Sequence, residues 1–319
     1  MLALGSELRA WEVRAHERLR SALAVGEPLE FLGVAKDFDT FVGLFDAIDL
    51  RDGTNLHRMK DGSIYVGEFF DLVRLQAERP TSHLLITGLN ENWGALSMPI
   101  PNRTVDWGRW EDHLSDAGCT LEMVHAYLDD PAVKAVVTPH HTILWHPTVI
   151  SLPVGVSWGF MQRLGNDPLT AMGVGEKVPR KTQELLINNS GWAHREQVNQ
   201  RVIANFGGRI ENTFGLNQRD FFASVVQARF VLCPSGLGWD TSRIWETLTL
   251  GSIPILEYTE GWHTALDDLP ALFVTNFDEV TPALLARAYP EILSRCEQFD
   301  YGRLTTRWWV DRITKALHR

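Results

Sequence analysis

Short apolar runs and longer amphipathic stretches follow one another along this chain. The runs HLLITGL (83–89) and AVKAVVTPH (132–140) are typical of strands that are buried on both faces of a parallel sheet. Between them, WGRWEDHLSDAG and TLEMVHAYLDD have the pattern of helices or loops. Prolines interrupt the apolar run HPTVISLPVGV (146–156), which indicates a broken strand.

Predicted strands and helices alternate more regularly in the second half of the chain. Strands are predicted at 184–189, 229–235, 252–258 and 271–276, and helices at 194–206, 217–228 (opened by Asn217), 240–250 and from TPALLARAY onward. The segment GRIENTFG is a short strand or a loop. This β-α-β-α order predicts an α/β fold with a doubly wound parallel sheet.

The length of 319 residues favours two domains. A segment rich in glycine, proline and charge (160–182) has no clean period and is the best candidate for a linker. We therefore predict domains at 1–178 and 179–319. Both ends of the chain are amphipathic, and the last helix is expected at about 304–319.

Composition excludes several classes of protein. The formal net charge of -10 disfavours nucleic acid and anionic membranes as partners. Three widely spaced cysteines form no CxxC pair, so neither a disulfide framework nor a thiolate zinc site is predicted. The chain shows no signal peptide and no run of about 18 apolar residues, from which we expect a cytoplasmic protein without a membrane span.

The stretch RFVLCPSGLGWDTSRIWETLTLGSIPIL (229–256) is one strand-helix-strand unit with candidate chemistry at its turn. A flexible loop containing Ser235, Gly236 and Gly238 follows the first strand and lets the backbone approach a ligand. Asp240 is predicted as the helix N-cap, and Gly251 as the residue that ends the helix.

Two charged residues of this helix lie on one face, away from the face of Ile244 and Leu248 that should pack on the sheet. Arg243 is in the first turn, where unpaired amides and a guanidinium together can hold a diphosphate. Glu246, one turn later, can accept two hydrogen bonds from a ribose diol. The alternative is an ordinary i,i+3 ion pair between them on a solvated surface.

The same stretch resembles the C-terminal signature of the exostosin-like glycosyltransferases. In that family a strand, a loop containing proline, an aspartate, Ser-x-Arg-x-Trp-Glu and a Gly-x-Ile-Pro strand occur in this order. The chain reproduces the order from Phe230 to Leu256, although Ser235 stands where many members have an arginine.

The resemblance implies a GT-B fold: two Rossmann-like domains that face a cleft, with the C-terminal helix crossing back to the first domain. It places the nucleotide-sugar donor on the C-terminal domain and the acceptor mainly on the N-terminal one. ELLINNSGWAHREQVNQRV resembles the first strand and helix of the family's donor domain. The donor-site residues thus expected are Asn189, Ser190, Arg195, Ser235, Gly236, Gly238, Asp240, Thr241, Ser242, Arg243 and Glu246.

These expectations make the chain a glycosyltransferase, transferring a hexose or a pentose from a nucleotide-sugar, with UDP favoured, to a glycan hydroxyl with inversion. The two arginines can neutralise the leaving diphosphate, so neither a metal nor a further cofactor is expected. Asp129-Asp130 and Asp267-Asp268 are interpreted as helix-end or loop charges, and the spacing of His140, His141 and His146 matches no zinc pattern.

Candidates for the catalytic base lie in loops of the N-terminal domain. Glu91 is the first choice and Asp106 the second, while Asn90, Asn92 and Trp93 could contact the acceptor. Two alternatives keep the same donor pocket: a non-catalytic protein that binds nucleotide-sugars or glycans, and a GT-B epimerase. An oxidoreductase is set aside because no dinucleotide fingerprint follows a predicted strand.

Overall fold

The computed structural model describes residues 2–26, 28, 44–50, 58–67, 69–78, 80–87, 114–115, 117–138, 146–191, 194–236, 239–259 and 262–318. The described helices and strands in chain order are α1 (Leu2–Leu23), β1 (Ala47–Asp49), β2 (Ser63–Val66), α2 (Phe69–Glu78), β3 (His83–Ile86), α3 (Leu121–Asp129), β4 (Val133–Thr138), β5 (Val149–Ser151), α4 (Trp158–Leu164), α5 (Pro168–Ala171), β6 (Gln183–Leu186), α6 (Arg195–Asn205), α7 (Gln218–Gln227), β7 (Ala228–Leu232), α8 (Ser242–Thr249), β8 (Ile253–Glu257), β9 (Leu272–Val274), α9 (Pro282–Ser294) and α10 (Thr306–Leu317).

The first sheet contains β1 to β5 in chain order, and every neighbouring pair is parallel. Alternate residues of its strands face two different cores. Tyr65 and Leu85 pack with α2 and α3, whereas Leu84 and Ile86 belong to a core that continues into the second half of the chain. The sheet is therefore covered on both faces, which explains its almost uninterrupted apolar strands.

The last helix, α10, packs on β3 and β4 of this first sheet. Its buried stripe consists of Trp309, Ile313 and Ala316, spaced three and four residues apart, as an amphipathic helix requires. Thr305 caps its first turn by accepting a hydrogen bond from the amide of Trp308. The amphipathic C-terminal pattern thus covers the first sheet and crosses back to it as predicted.

The second sheet has the parallel order β6-β7-β8-β9. A parallel bridge between Ile187 and Asn212 adds the GRIENTFG segment beside β6, on the side away from β7. After β6 the chain first moves outward to Asn212 and then returns to the opposite side of β6 as β7. This reversal is a topological switch point, the place where open α/β sheets collect ligands at the carboxyl ends of their strands.

Two parallel sheets with flanking helices, joined by a returning C-terminal helix, confirm the predicted fold class, an α/β fold of GT-B type. Strands and helices of the second half lie within a few residues of the predicted ones, and Asn217 caps α7 through its side chain as expected. In the first half the sequence reasoning missed β1, β2 and α2.

The segment predicted as a linker (160–182) contains helical structure. Residues 158–164 and 168–171 are the helices α4 and α5, capped by the side chains of Ser157 and Asp167. The remainder, from 172 to 182, has no helix or strand, and the predicted boundary between 178 and 179 falls in it.

Helix α1 packs against α9 of the second half rather than against the first sheet. The hydroxyl of Tyr289 donates to the Glu12 carboxylate at 3.0 Å, and Arg18 donates to the carbonyl of Phe299 at 2.8 Å. The first helix and the last helix therefore each lie on the other half of the molecule. Among the described residues, no helix is both long and apolar enough to cross a bilayer.

Candidate functional site

The candidate site lies at the switch point, where the loops after β6 and β7 meet the first turns of α6 and α8. These loops are 187–191 and 233–236 in the described part of the chain. Arg195 is the first residue of α6 and Arg243 the second residue of α8. Two helices that each follow a neighbouring parallel strand thus bring one arginine apiece to the same edge of the sheet.

Arg243 bridges the two loops. Its Nη1 donates to the carbonyl of Asn188 after β6, and its guanidinium lies 4.0 Å from the centre of the Phe221 ring. Its Nε is buried and has no hydrogen-bond partner among the described residues. A partly buried guanidinium that is held from two sides and has donors to spare is well placed to bind an anion.

Arg195 lies across the loop after β7. Its Nε donates to the carbonyl of Ser235 at 2.8 Å and its Nη2 approaches the carbonyl of Pro234 at 3.5 Å. A Cβ on Gly236 would lie 2.6 Å from that Nη2, so a larger residue here would displace the end of the Arg195 side chain from its present position. The glycine predicted to admit a ligand also admits this arginine.

The two guanidiniums repel each other. Burial and, next, the positive charge of Arg243 lower the pKa of Arg195, while the pKa of Arg243 is lowered by burial and raised in part by Glu246. Among the described residues no carboxylate forms an ion pair with Arg195. Two close positive charges and a single carboxylate, which lies beside Arg243, leave a net positive site that an anion would stabilise.

The first turn of α8 adds backbone donors. Its N-cap is Thr241, whose side chain makes no capping hydrogen bond, and the Thr241 hydroxyl is buried without a partner among the described residues. The first amides of a helix that no side chain caps carry a partial positive charge. They lie beside Arg243, in the arrangement that the sequence predicted for a phosphate cradle.

Glu246 is not a solvated surface carboxylate, because only 8% of its side chain is exposed. Its Oε2 lies 3.9 Å from the Nε of Arg243, a loose contact, while its Oε1 accepts a hydrogen bond from the hydroxyl of Ser157 at 2.6 Å. The i,i+3 ion pair of the alternative interpretation is thus present, but its carboxylate is buried and does not lie on a solvated face. Glu246 lies at the junction between α8 and the segment that follows β5.

Asp240 is not the N-cap of α8, which corrects the sequence interpretation. Its carboxylate is buried and accepts hydrogen bonds from the amide of Val154 and from Nε1 of Trp245, both at 2.7 Å. Burial raises its pKa to about 7, against the opposing effect of these donors. Asp240 thus fastens the segment after β5 to the start of α8, and its role as a donor contact stays a prediction.

Of the other predicted donor residues, two have their polar groups engaged within the protein. The Asn189 side chain donates to Asn199 Oδ1 and to the Leu232 carbonyl, and the Ser235 hydroxyl contacts Nε2 of His194 at 3.0 Å. Ser190 and Ser242 are partly exposed at the same edge. Gly238 lies outside the described residues.

The predicted catalytic and acceptor residues, Glu91, Asp106, Asn90, Asn92 and Trp93, also lie outside the described residues. Sequence reasoning missed His194, Ser157 and Phe221. Their partners Ser235, Glu246 and Arg243 are distant in the chain, so no local pattern could have indicated these contacts.

Metal ligands do not assemble in the described part of the chain, which holds no group of three or more His, Cys, Asp or Glu side chains that could bind an ion. His146 pairs with Asp129 at 3.2 Å, while His140 and His141 lie outside that part.

The two acidic pairs have structural contacts of their own. Asp130 ends α3 and accepts from Gln76 and the amide of Ala132. Asp268, in a loop, pairs with Arg303 at 3.1 Å. Both pairs are therefore the helix-end and loop charges that the sequence suggested.

Comparison with known proteins gives loose structural likenesses only. No protein-family model matches the chain, and no curated protein matches it. An apo structure of OtsA is 10% identical, covering 88% of this chain and 78% of its own, with a TM-score of 0.40. A structure described as trehalose-6-phosphate from E. coli bound with UDP-2-fluoro glucose has the same four values.

A GtfA/B complex is 11% identical over 89% of this chain and 61% of its own, with a TM-score of 0.38. The likeness to the exostosin-like family stays a prediction from the 229–256 stretch. The function proposed next therefore rests on this chain's own residues.

Proposed function

We propose that this chain is a glycosyltransferase that binds a nucleotide-sugar, with UDP-sugars favoured, and transfers the sugar to a hydroxyl of a glycan. The observation that carries the proposal is the convergence of Arg195 and Arg243 at the switch point beside the uncapped first turn of α8. A diphosphate carries the charge and the oxygen acceptors that these groups lack.

The net positive charge of the site distinguishes it from a structural arginine cluster. Hydrogen bonds between a guanidinium and a phosphate are charge-assisted and contribute about 1.5–3 kcal/mol each. Both arginines donate to backbone carbonyls, and Glu246 lies 3.9 Å from Arg243, so one carboxylate offsets two positive charges and the site keeps a net positive charge. A diphosphate would remove the mutual repulsion and also gain the helix amides.

Glu246 extends the site by one helical turn. A carboxylate one turn beyond the phosphate-binding arginine is at a suitable distance for the ribose diol of a nucleotide. The hydroxyl of Ser157 already donates to Glu246 Oε1, so a ribose hydroxyl would join or replace a hydroxyl that is present. The site therefore contains a carboxylate that already accepts a hydrogen bond from a hydroxyl group.

The chemical step needs a base in addition to these groups. The acceptor oxygen attacks the anomeric carbon, the bond from that carbon to the phosphate oxygen breaks, and the diphosphate leaves with the electron pair. The hydroxyl proton passes to a carboxylate, for which we propose Glu91 first and Asp106 second. Arg195, Arg243 and the α8 amides would stabilise the leaving charge, and the reaction would invert configuration without a metal.

Binding is tested first, by thermal shift with UDP, GDP, CMP and ADP, each with and without Mg²⁺ or Mn²⁺. A nucleotide diphosphate should stabilise the wild type irrespective of metal, and the shift should vanish in Glu246→Ala and Arg243→Ala. Matched controls are Glu291→Ala and Arg209→Ala, two exposed residues of the same types outside the site. If no nucleotide shifts the wild type, the proposed function is wrong.

Catalysis is tested separately, by release of UDP from UDP-glucose, UDP-galactose, UDP-N-acetylglucosamine and UDP-xylose with a panel of glycan acceptors. UDP release that depends on an acceptor supports the transferase and identifies hexose or pentose. Binding without turnover would instead support the non-catalytic binding protein, and conversion of the UDP-sugar without acceptor the epimerase.

A further inference from the structure

A cavity of about 40 Å³ lies at the amino ends of the strands of the second sheet, opposite to the edge that holds Arg195 and Arg243. Its walls come from α1, the segment before β6, the turn before β8 and α9. The polar side chains in these walls are Glu12, His16, Lys181, Ser252, Tyr289 and Tyr301. A cavity of this volume has room for about three water molecules, or for a ligand of about three non-hydrogen atoms.

The amine of Lys181 in this cavity is held by two neutral acceptors. Its Nζ donates to the carbonyl of Val226, near the end of α7, at 3.0 Å and to the hydroxyl oxygen of Ser252 at 2.7 Å. The Ser252 hydroxyl donates its own proton to a backbone carbonyl, so its oxygen is free to accept from Lys181. Among the described residues, no carboxylate forms an ion pair with this amine.

These contacts match a neutral amine rather than an ammonium ion. A neutral amine has two N–H donors and a lone pair, whereas an ammonium ion has three donors. Two acceptors satisfy the neutral form, and they would leave the third N–H of the charged form without a partner in the described part of the chain. Burial lowers the pKa of Lys181 to about 7, although the negative charge of Glu12 opposes this effect. About half of the Lys181 amines are therefore neutral at pH 7, with a lone pair left for a ligand.

Acid and base groups lie in the wall of the same cavity. Glu12 and His16 are four residues apart on α1 and thus share one face of that helix. The Glu12 carboxylate accepts from the hydroxyl of Tyr289 at 3.0 Å and from Arg9 at 2.8 Å. Nε2 of His16 donates to the carbonyl of Gly175 at 3.0 Å, which leaves Nδ1 to accept a proton. A desolvated amine near a carboxylate and an imidazole is an arrangement that suits Schiff-base chemistry.

A small solute has access to this amine. The cavity is partly open to solvent, and Lys181 as a residue is partly exposed although its amine is buried. Its reaction with a carbonyl compound would therefore need no unfolding of the second sheet.

We propose that Lys181 is a nucleophilic amine and that its cavity is a second site, in which it binds a small aldehyde as a Schiff base. The amine nitrogen attacks the carbonyl carbon, and the carbonyl oxygen then leaves as water with both amine protons, so no oxidant or reductant is needed. Glu12 and His16 can carry protons between the nitrogen and the oxygen. A protonated imine keeps one N–H for Val226 or Ser252, and the negative charge of Glu12 favours that protonation.

The test is labelling of the wild-type protein with acetaldehyde and sodium cyanoborohydride at pH 7, followed by peptide mass spectrometry. The reductant converts the imine into a stable ethylated amine, and the exposed Lys177 is the internal reference. Because an ordinary lysine amine is almost fully protonated at pH 7, Lys181 should be ethylated at least about tenfold faster than Lys177. At pH 10, where ordinary lysine amines also become partly neutral, this preference should largely disappear.

Two controls locate the reaction. Benzaldehyde is too large for a cavity of about 40 Å³ and should label Lys177 but not Lys181. Lys181→Arg keeps hydrogen-bond donors but forms no imine under these conditions, so it should abolish the fast labelling and leave that of Lys177 unchanged.

The outcomes separate a reactive lysine from one that only ties the segment before β6 to α7 and β8. A purely structural Lys181 is shielded, so labelling at pH 7 that is no faster than that of Lys177 would overturn the proposal. A preference that is undiminished at pH 10 would contradict the neutral amine. Fast labelling by benzaldehyde would place the reaction outside the cavity and overturn the second site. None of these results depends on nucleotide binding at Arg195 and Arg243.

Discussion

Asp240 is a buried carboxyl group held by neutral donors, and its replacement by asparagine should change how stability depends on pH. Its oxygens accept from Val154 of the segment after β5 and from Trp245 of α8, and burial raises its pKa from 3.8 to about 7. Between these two values the folded protein keeps a proton that the unfolded chain has lost. Wild-type stability should therefore fall as the pH rises through this window.

The expected magnitude follows from the size of the shift. A rise of about three pKa units corresponds to about 4 kcal/mol, since each unit contributes 1.36 kcal/mol. The side chain introduced by Asp240→Asn has nearly the same shape as the carboxyl group but does not titrate. The difference in unfolding free energy, variant minus wild type, should thus increase by about 4 kcal/mol between pH 4 and pH 7.5.

The assay is urea unfolding followed by tryptophan fluorescence at each pH unit from 4 to 8. The difference between variant and wild type cancels the titration of other carboxylates, and Asp267→Asn, which alters an exposed aspartate, is the control. The Asp267→Asn curve should run parallel to the wild type. A parallel curve for Asp240→Asn as well, within about 1 kcal/mol, would refute the burial argument for this carboxyl group.

Three further substitutions test the packing around the second sheet. Burial lowers the pKa of Lys181 to about 7. Between pH 7 and 10 the unfolding free energy of the wild type should therefore rise by about 1.4 kcal/mol per pH unit relative to that of Lys181→Met. Equal pH slopes of the two proteins in urea unfolding would contradict this. Leu248→Ala, which empties a fully buried position on α8, should cost about 2–5 kcal/mol by denaturant unfolding, and a loss below about 1 kcal/mol would show that α8 does not pack as described. Gly251→Ala should destabilise the protein by about 1–2 kcal/mol, because the φ of Gly251 is +75°. Gly5→Ala, at an exposed position of α1, should be neutral or stabilising. If both substitutions lowered the unfolding free energy equally, the left-handed turn at Gly251 would be wrong.

Local sequence patterns were sufficient to predict most strands, helices and helix ends in the second half of the chain. Apolar strand runs, the Asn217 cap and the Gly251 turn are determined by neighbouring residues, and all three are present in the structure. The buried face of α8, with Ile244 and Leu248 fully buried, also follows from spacing alone. Sequence reasoning worked where the determinants lie within one helix or one turn.

Long-range contacts could not be predicted in this way. An aspartate before a helix has the pattern of an N-cap, yet Asp240 binds Val154, which is 86 residues away. Glu246 and Ser157, 89 residues apart, show no signal of their contact. The strands β1 and β2 are only three and four residues long, too short for their alternation to stand out.

The most direct test of the central claim is a crystal structure of the protein with UDP at saturating concentration. We expect the diphosphate between the guanidiniums of Arg195 and Arg243, at the first turn of α8, with the ribose hydroxyls on Glu246. Ordered UDP at any other surface, with both guanidiniums keeping their present contacts within the protein, would contradict this placement.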